Sequence, residues 1–581
     1  MMDRWITDWA PSERWPHYTR ANSGEVAPTP VSPLSATYTW ANGICQGWRD
    51  GYVRTGNYSM DEFDMARPET VGFFGGYMYI NLSNVRMQGV RNPAVTVEQL
   101  DLAFFGDHPD VPPYVPDPRD ERPDLTDKIL AHMGWLVTTS SWPEIDEERD
   151  KTKALRANRP DLTSLDDAAL LGRLRKLQTL IAKLFESHTL TSSGSGVAPG
   201  ILFAVGQAIG DPTVPMKLVS GLGDVDSAEP SARMWELSRL VRSSRELSDH
   251  FDRGVAGLVG RLADSGSQDS SKFLSEWQRF IEDFGSRSVN EYELSADTWE
   301  TRPELALATL ERVRFQSDED SPALRLAQRV AEREAVTAEV RAKLAERGVE
   351  DLANQFESAL VAANQLVFRE RTKTNLIRAI HEARMTFLEL GRRHAAAGNL
   401  RVVSHVFQLL DEELEGFVAD PASFTDTLAS RAAEWAELFD LEPPFIIRDG
   451  KVPPLSDWPR RGDAKVAKLE AGASLRGVAG CPGKATGRAR VIMQVGDPGD
   501  LEPGDVLVAP VTDPGWASLF MAASAVVVEV GGQISHAIIV SRELGLPCVV
   551  SATGACQAIP DGAVVEVDGD TGTVTVLELP A

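Results

Sequence analysis

From residue 474 to the end, the chain is a succession of apolar stretches too short to be helices. They are GRARVIM (487–493), GDVLVAPV (504–511), SAVVVEV (524–530), PCVVSAT (547–553) and GAVVEVDG (562–569). Each is rich in β-branched residues and bounded by Gly, Pro or Asp, which reads as strand and turn in alternation. Between the third and fourth lies SHAIIVSRELG (535–545), with Ser before it, apolar periodicity within it and Gly at its end, which predicts a helix. A strand, a helix and a strand in that order close on themselves only as a helix packed on a sheet. Residues 474–581 are therefore expected to form a compact α/β unit.

The preceding sequence has a different texture. Residues 1–120 hold seven of the eight tyrosines, together with Trp5, Trp9, Trp15, Trp40 and Trp48. Their Gly, Pro and Asn content predicts loops with short elements, and GGYMYINLSNV (75–85) reads as a strand. From about 120 to 440 the pattern is helical. Stretches such as 161–188 and 322–400 carry apolar residues at i, i+3, i+4 and i+7, and SSGSGVAPG (192–200) marks a break. Residues 441–473 hold five prolines and little periodicity and are expected to be a linker. The expectation is an α+β multidomain protein: a large, mostly helical unit over 1–440, the linker, and the C-terminal unit.

Charge removes several functions. The 59 Lys and Arg against 85 Asp and Glu leave a net charge of −26 in 581 residues. Nucleic-acid and anionic-membrane binders need a basic footprint, so neither partner is expected. The four cysteines form no CxxC pair and are too few for a disulfide framework, which fits a reducing cytoplasm. No apolar run is long enough to span a bilayer. No metal site is expected, and GCPGKAT (480–486) breaks the phosphate-loop spacing.

The chemistry centres on GGQISHAIIVSRELGLPCVV (531–550). Gly531 and Gly532 permit a tight turn after an apolar strand. His536 then enters the first turn of a helix, preceded by Ser535. The orphan N–H groups and positive dipole end of a helix favour an anion there, and a neutral imidazole is a competent nucleophile. A lone His at a helix start is more often a buried or capping residue. The Gly-Gly turn, the Ser and the following helix shift the balance towards phosphoryl chemistry.

The pattern GG-x-x-SHA-x-x-x-x-RELG-x-P resembles the phosphohistidine loop of the phosphoenolpyruvate-utilising enzymes, with Arg542 as its arginine. The flanks GVAGCPGKATGRARV, GDVLVAPVTDPGW and DGAVVEVDGDTGTV extend the likeness over the C-terminal unit. The resemblance implies a β/β/α phosphohistidine swivelling domain in which His536 carries a phosphoryl group between two sites. TRANSGEVAPTPVSPLS (19–35), FGSRSVNEYEL (284–294) and RERTKTNLIRAIHEARMTFLELGRR (369–393) resemble the rifampin-phosphotransferase-like group, which makes 1–440 a phosphoryl-acceptor (substrate-binding) domain. The chain opens on this domain rather than on an ATP-grasp domain. A split enzyme is therefore expected, organised like phenylphosphate synthase, with ATP and Mg2+ on a separate ATP-grasp subunit.

Within that frame, Arg369 and Lys373 lie four apart on one helix face and are candidates for holding the transferring phosphoryl group. A solvated charged face is the alternative. The resemblance favours catalysis. Glu25 is the candidate base for the acceptor hydroxyl, with a turn carboxylate as its alternative. Arg20 and Asn22 sit in the same segment as candidate substrate-side residues. Arg287 and Glu291 are candidates of the same kind, although an ion pair is their commoner role. The aromatic residues of 1–120 either stack on a flat acceptor or form core. The remaining histidines, His17, His108, His132, His188, His250, His381, His394 and His405, show no ligand spacing. The expected function is phosphorylation of a hydroxyl on a small, aromatic or apolar molecule. A phosphocarrier, a regulator or a ligand-binding protein of the same family is the alternative.

Overall fold

The computed structural model describes residues 4–105, 110–211, 213–223, 225–461, 466–493, 501–512, 516–532 and 535–580, without the side chains of 102–104, 517 and 518. His108 and residues 533–534 of the GGQISHA segment lie outside the described residues, as do 462–465 of the expected linker. The architecture is α+β, with long helices and two sheets of four and eight strands.

The helical part is built on two long helices, Asp167–Gly194 and Asn364–Ala396. Leu170, Leu174, Leu177, Ile181 and Leu184 of the first meet Leu376, Ile377, Ile380, Ala383, Phe387 and Leu390 of the second in one apolar core. The 3.6-residue spacing of these positions is what dictates both helices and their seam. A third helix, Cys45–Thr55, lies against the first at very close range. A Cβ at Gly47 would fall 1.9 Å from the Ala182 carbonyl oxygen, and one at Gly51 would fall 2.5 Å from Thr189 Cβ. Two glycines one turn apart thus let the helix backbones approach.

The first 120 residues are more helical than their loop-forming composition predicts. Ser35–Ile44 forms a π-helix that runs directly into Cys45–Thr55. Packing against Asp167–Gly194 supplies what local propensity lacks. The predicted strand is present as Tyr77–Asn81, paired antiparallel with Val71–Phe74 across Gly75 and Gly76, both at positive φ. It ends where Asn81 caps the helix Leu82–Arg91.

Residues 441–461 depart from the expected tether. Ile446–Ile447 pairs antiparallel with Tyr18–Thr19, completing the four-stranded sheet, and Leu455 and Trp458 are buried against Trp5, Tyr77 and Tyr79. Proline kept this stretch from helical periodicity, but its apolar residues still found a surface to cover.

The C-terminal unit holds the eight-stranded sheet. Lys484–Val491, Val506–Ala509, Ala525–Val528 and Cys548–Val550 run parallel in that order, with antiparallel strands outside them. The helix His536–Leu544 is the crossover between the last two parallel strands, and Gly545 ends it in the left-handed conformation.

This unit is docked on the helical part. Trp235 and Val313 of the helical part share an apolar cluster with Trp516, Phe520 and Met521. Arg312 donates to the Leu501 carbonyl at 2.7 Å, Gln316 donates to the Met521 carbonyl, and the Arg329 guanidinium lies against Gly545. Val313→Asp buries an unpaired charge in that cluster at a cost of about 3 kcal/mol. It is expected to release the C-terminal unit while both parts stay folded. Paired fluorophores on the two parts should report a longer separation; an unchanged separation would show that this patch does not hold them together.

Candidate functional site

The docked helix end brings His536 to the edge of the helical part. His536 opens its helix and is nine-tenths buried, with Phe520 edge-on to the ring at 6.1 Å. Neither ring nitrogen has a hydrogen-bond partner among the described residues. Burial lowers the imidazole well below its ordinary 6.5, and Lys373, Arg287 and Arg369 push it further the same way. The ring is therefore a neutral nucleophile whose nitrogens take no hydrogen bond among the described residues.

The loop before it works differently from the tight turn expected of two glycines. Gly531 is not in the left-handed region; a Cβ there would meet Ser535 Oγ and Val550 Cβ, each at 3.1 Å. Glycine at 531 is a packing requirement. Ser535 takes the N-cap position in extended backbone, but its side chain makes no cap hydrogen bond. The Gly532 N–H is directed across the interface and donates to Glu25 Oε1 at 3.2 Å.

Glu25 sits in the short helix Ser23–Val26, half-buried beneath the docked unit. Burial pushes its carboxyl up to about 8, against the opposing pull of the Gly532 N–H, Arg369, Lys373 and the His536 N–H. Glu25 thus faces both cations and the first turn of the phosphohistidine-like helix. Asn22 stands at the N-cap of the short helix without a side-chain cap bond, and its carbonyl accepts from Glu25 N at 3.0 Å. Arg20 does not touch the carboxylate. Its Nη1 donates to the Ala27 and Met78 carbonyls at 3.0 and 2.7 Å, its Nη2 reaches Pro28 O at 3.3 Å, and it lies over the Tyr77 ring. It closes the 20–28 loop that carries Glu25.

Arg369 and Lys373 project from one face of Asn364–Ala396, each mostly covered. Arg369 Nη1 is 3.6 Å from Glu370 Oε1, and Lys373 Nζ is 3.8 Å from Glu291 Oε2. Glu291 also pairs with Arg287 at 3.2 Å, and Arg287 Nη2 donates to Thr374 Oγ1 and the Asp226 carbonyl, both at 3.1 Å. Arg287 and Glu291 are thus an ion pair, and through Lys373 they are coupled to the cations facing His536. Arg542 does not join this group. It is buried inside its own unit near Cys481 and Cys548, where burial lowers its guanidinium and Glu543 opposes the fall.

Two other expectations resolve in the tertiary structure. Trp15, Tyr38, Trp40, Tyr58, Tyr77 and Tyr79 are core, each at most 2% exposed, so these six take the core alternative. His381 is also away from the site, bonded through Nε2 to Glu300 at 2.6 Å.

Spacing alone missed His188. Its Nδ1 is 3.0 Å from Thr372 Oγ1, inside the Arg369–Lys373 turn. Burial, then Arg369 and Lys373, push this imidazole down to about 3. The signal available in the sequence was the polar run HTLTSSG (188–194) closing an otherwise amphipathic helix.

Comparisons with known proteins agree with this layout. Residues 188–370 match the family description "Rifampicin phosphotransferase fourth domain", and residues 501–572 match "PEP-utilising enzyme, mobile domain". The chain thus carries a region similar to the mobile domain of PEP-utilising enzymes and another similar to a domain of rifampicin phosphotransferase. An uncharacterised protein of Mycobacterium tuberculosis is 42% identical over 222 residues, covering 38% of this chain and 24% of that protein. Rifampicin phosphotransferase of Bacillus subtilis is 32% identical over 210 residues, covering 36% of this chain and 23% of that enzyme. The prodigiosin synthesizing transferase of Serratia marcescens is 24% identical over 617 residues, covering 98% of this chain and 64% of that protein. Each of these matches thus spans less than two thirds of the relative's length, and two of them about a quarter.

The opposed shifts of Glu25 and His536 make docking depend on pH. In the docked structure burial holds the Glu25 carboxyl at about 8 against 4.5 for a solvated one, so the docked form keeps a proton that a solvent-exposed Glu25 would release. Its contribution to docking is full below 4.5 and is lost as pH rises through about 8. His536 has the opposite sign: its contribution is complete above 6.5 and is lost as pH falls below that value. Glu543, pushed up to about 7 at the Gly221 N–H, follows Glu25 but is complete by about that pH. Above pH 7, then, the docking constant should fall several-fold towards about pH 8.5 through Glu25 alone. Glu25→Gln should flatten that fall in the two-fluorophore assay; a wild-type constant flat across this range would contradict the assignment.

Proposed function

We propose that this chain is the phosphoryl-carrying and acceptor-binding part of an ATP-dependent phosphotransferase acting on a hydroxyl of a small molecule. The observation that carries the reading is the convergence of His536, Glu25, Arg369 and Lys373 from three separate segments at one docked interface. The mobile-domain match around His536 and the match to a rifampicin phosphotransferase domain support it.

The reaction has two halves. In the first, a ring nitrogen of His536 attacks the β-phosphorus of ATP, the α–β bond breaks and AMP leaves; water then cleaves the β–γ bond, phosphate leaves, and the β-phosphoryl stays on His536. ATP and Mg2+ are assigned to an ATP-grasp subunit outside residues 1–581. In the second, the unit docks as observed. The acceptor oxygen attacks the phosphorus of phospho-His536, the P–N bond breaks, and its electron pair returns to the imidazole. The acceptor proton passes to the Glu25 carboxylate, while Arg369 and Lys373 hold the charge on the transferring oxygens. The groups facing His536 are charged, so they address the hydroxyl end of the acceptor rather than an aromatic body. The reading places the protein in the cytoplasm, in keeping with four buried, unpaired cysteines.

The test is acid-labile labelling from ATP carrying radioactive phosphorus at the β or γ position, with the purified chain alone and with host extract. Label is expected from the β position, only with extract, and not in His536→Ala. No labelling under any condition overturns the reading. Arg369→Ala and Lys373→Ala should take up label normally but discharge it to acceptor about 100-fold more slowly. Acceptor-dependent discharge should show an acid limb near pH 8, set by the raised Glu25 carboxyl, that Glu25→Gln removes.

A further inference from the structure

The seam between Asp167–Gly194 and Asn364–Ala396 has an apolar core, is crossed by ion pairs from Arg173 to Glu382 and from Arg393 to Asp167, and holds a polar knot beside the two cations. The His188 ring approaches Thr372 Oγ1 at 3.0 Å through Nδ1 and Ser192 Oγ at 3.3 Å through Nε2. Thr191 Oγ1 lies 3.1 Å from Thr372 Oγ1 and donates to the His188 carbonyl at 3.0 Å. Thr372 Oγ1 in turn is 3.0 Å from the carbonyl oxygens of both Phe368 and Arg369. His188, Thr191 and Thr372 are all buried.

We propose that His188 is a positioning residue for phosphoryl transfer, its imidazole tying the Arg369–Lys373 turn to the helix Asp167–Gly194. The inference rests on the reading that Arg369 and Lys373 hold the transferring phosphoryl group. The leucine and isoleucine side chains of the seam are near-equivalent in size, so apolar packing by itself discriminates weakly between neighbouring registers. A displacement along the seam would leave His188 Nδ1 buried without its partner and break the Thr191–Thr372 contact, and that penalty adds to the Arg173–Glu382 and Asp167–Arg393 pairs in selecting one register. Thr372 lies between Arg369 and Lys373 in sequence, within a single helical turn, so the register it sets is theirs. Transfer is sensitive to misplacement of the order of 1 Å, which makes the knot matter to rate more than to fold. The ring also stays neutral beside both cations, so it braces them without repelling them.

The test uses the full chain loaded chemically on His536 with potassium phosphoramidate, in which the imidazole displaces ammonia from phosphorus. Discharge of the phosphohistidine to water is followed by phosphorus NMR. Arg369→Ala and Lys373→Ala define the effect of losing the cations. His188→Ala is expected to change the discharge rate about tenfold in the same direction. It should have no further effect in the Arg369→Ala/Lys373→Ala background, because it acts through those two cations. His188→Asn, which can replace the Nδ1 contact to Thr372, should restore the rate, and His188→Gln, which replaces the Nε2 position, should not. A silent His188→Ala, or an effect that adds fully to Arg369→Ala/Lys373→Ala, overturns the inference while leaving the role of the cations intact. Silent Arg369→Ala and Lys373→Ala overturn that role and the inference with it. If His188→Ala fails to fold, equal behaviour of the Asn and Gln variants overturns the inference.

Discussion

The helix Asn364–Ala396 is buried over most of its length, yet it carries arginines, glutamates and histidines along nearly every turn. A charge taken from water must be answered by another charge or by backbone dipoles, and the surrounding elements are arranged to do so. Arg384 donates to the carbonyls of Glu291, Glu293 and Leu294, and Arg371 reaches Asp146 and Asp226. Glu382 receives Arg159 and Arg173. Once these demands are met, the helix has little freedom to turn or slide. Arg369 and Lys373 lie where His536 of the C-terminal unit joins their surroundings.

That juxtaposition explains the opposed behaviour of the two groups across the interface. The same burial that keeps His536 neutral holds a proton on Glu25. An empty site therefore carries little net anionic charge opposite the two cations. In the proposed reading, a phosphoryl group on His536 adds negative charge beside Arg369 and Lys373, whose carboxylate neighbours in the structure are Glu370 and Glu291.

Much of this was legible from residue order. The strand-helix-strand texture of the last hundred residues follows from apolar runs too short for helices. The apolar spacing of 161–188 and 322–400 requires helices with one buried face. His536 at a helix start after two glycines, and Arg369 and Lys373 one turn apart, were visible as local patterns. Arg20, Arg542, Ser535 and His188 were not legible in the same way. Arg20 closes a loop by binding carbonyls, Arg542 turns into its own unit, and Ser535 packs on Gly531 instead of capping. His188 matters only because a second helix brings Thr372 against it. Each of these roles is set by a partner remote in sequence.

By itself, the order of residues determined periodicity, turn chemistry and charge, and therefore the helices, the α/β unit and the place of His536 at a helix start. These are properties of neighbours within about one helical turn or one strand, where spacing and backbone preference decide. Only the tertiary structure decided that Glu25 would lie against Gly532, that the proline-rich segment would complete a sheet, and which buried charges would share a site. Those outcomes depend on which surfaces exclude water together, and burial is a property of the whole fold rather than of any stretch of it.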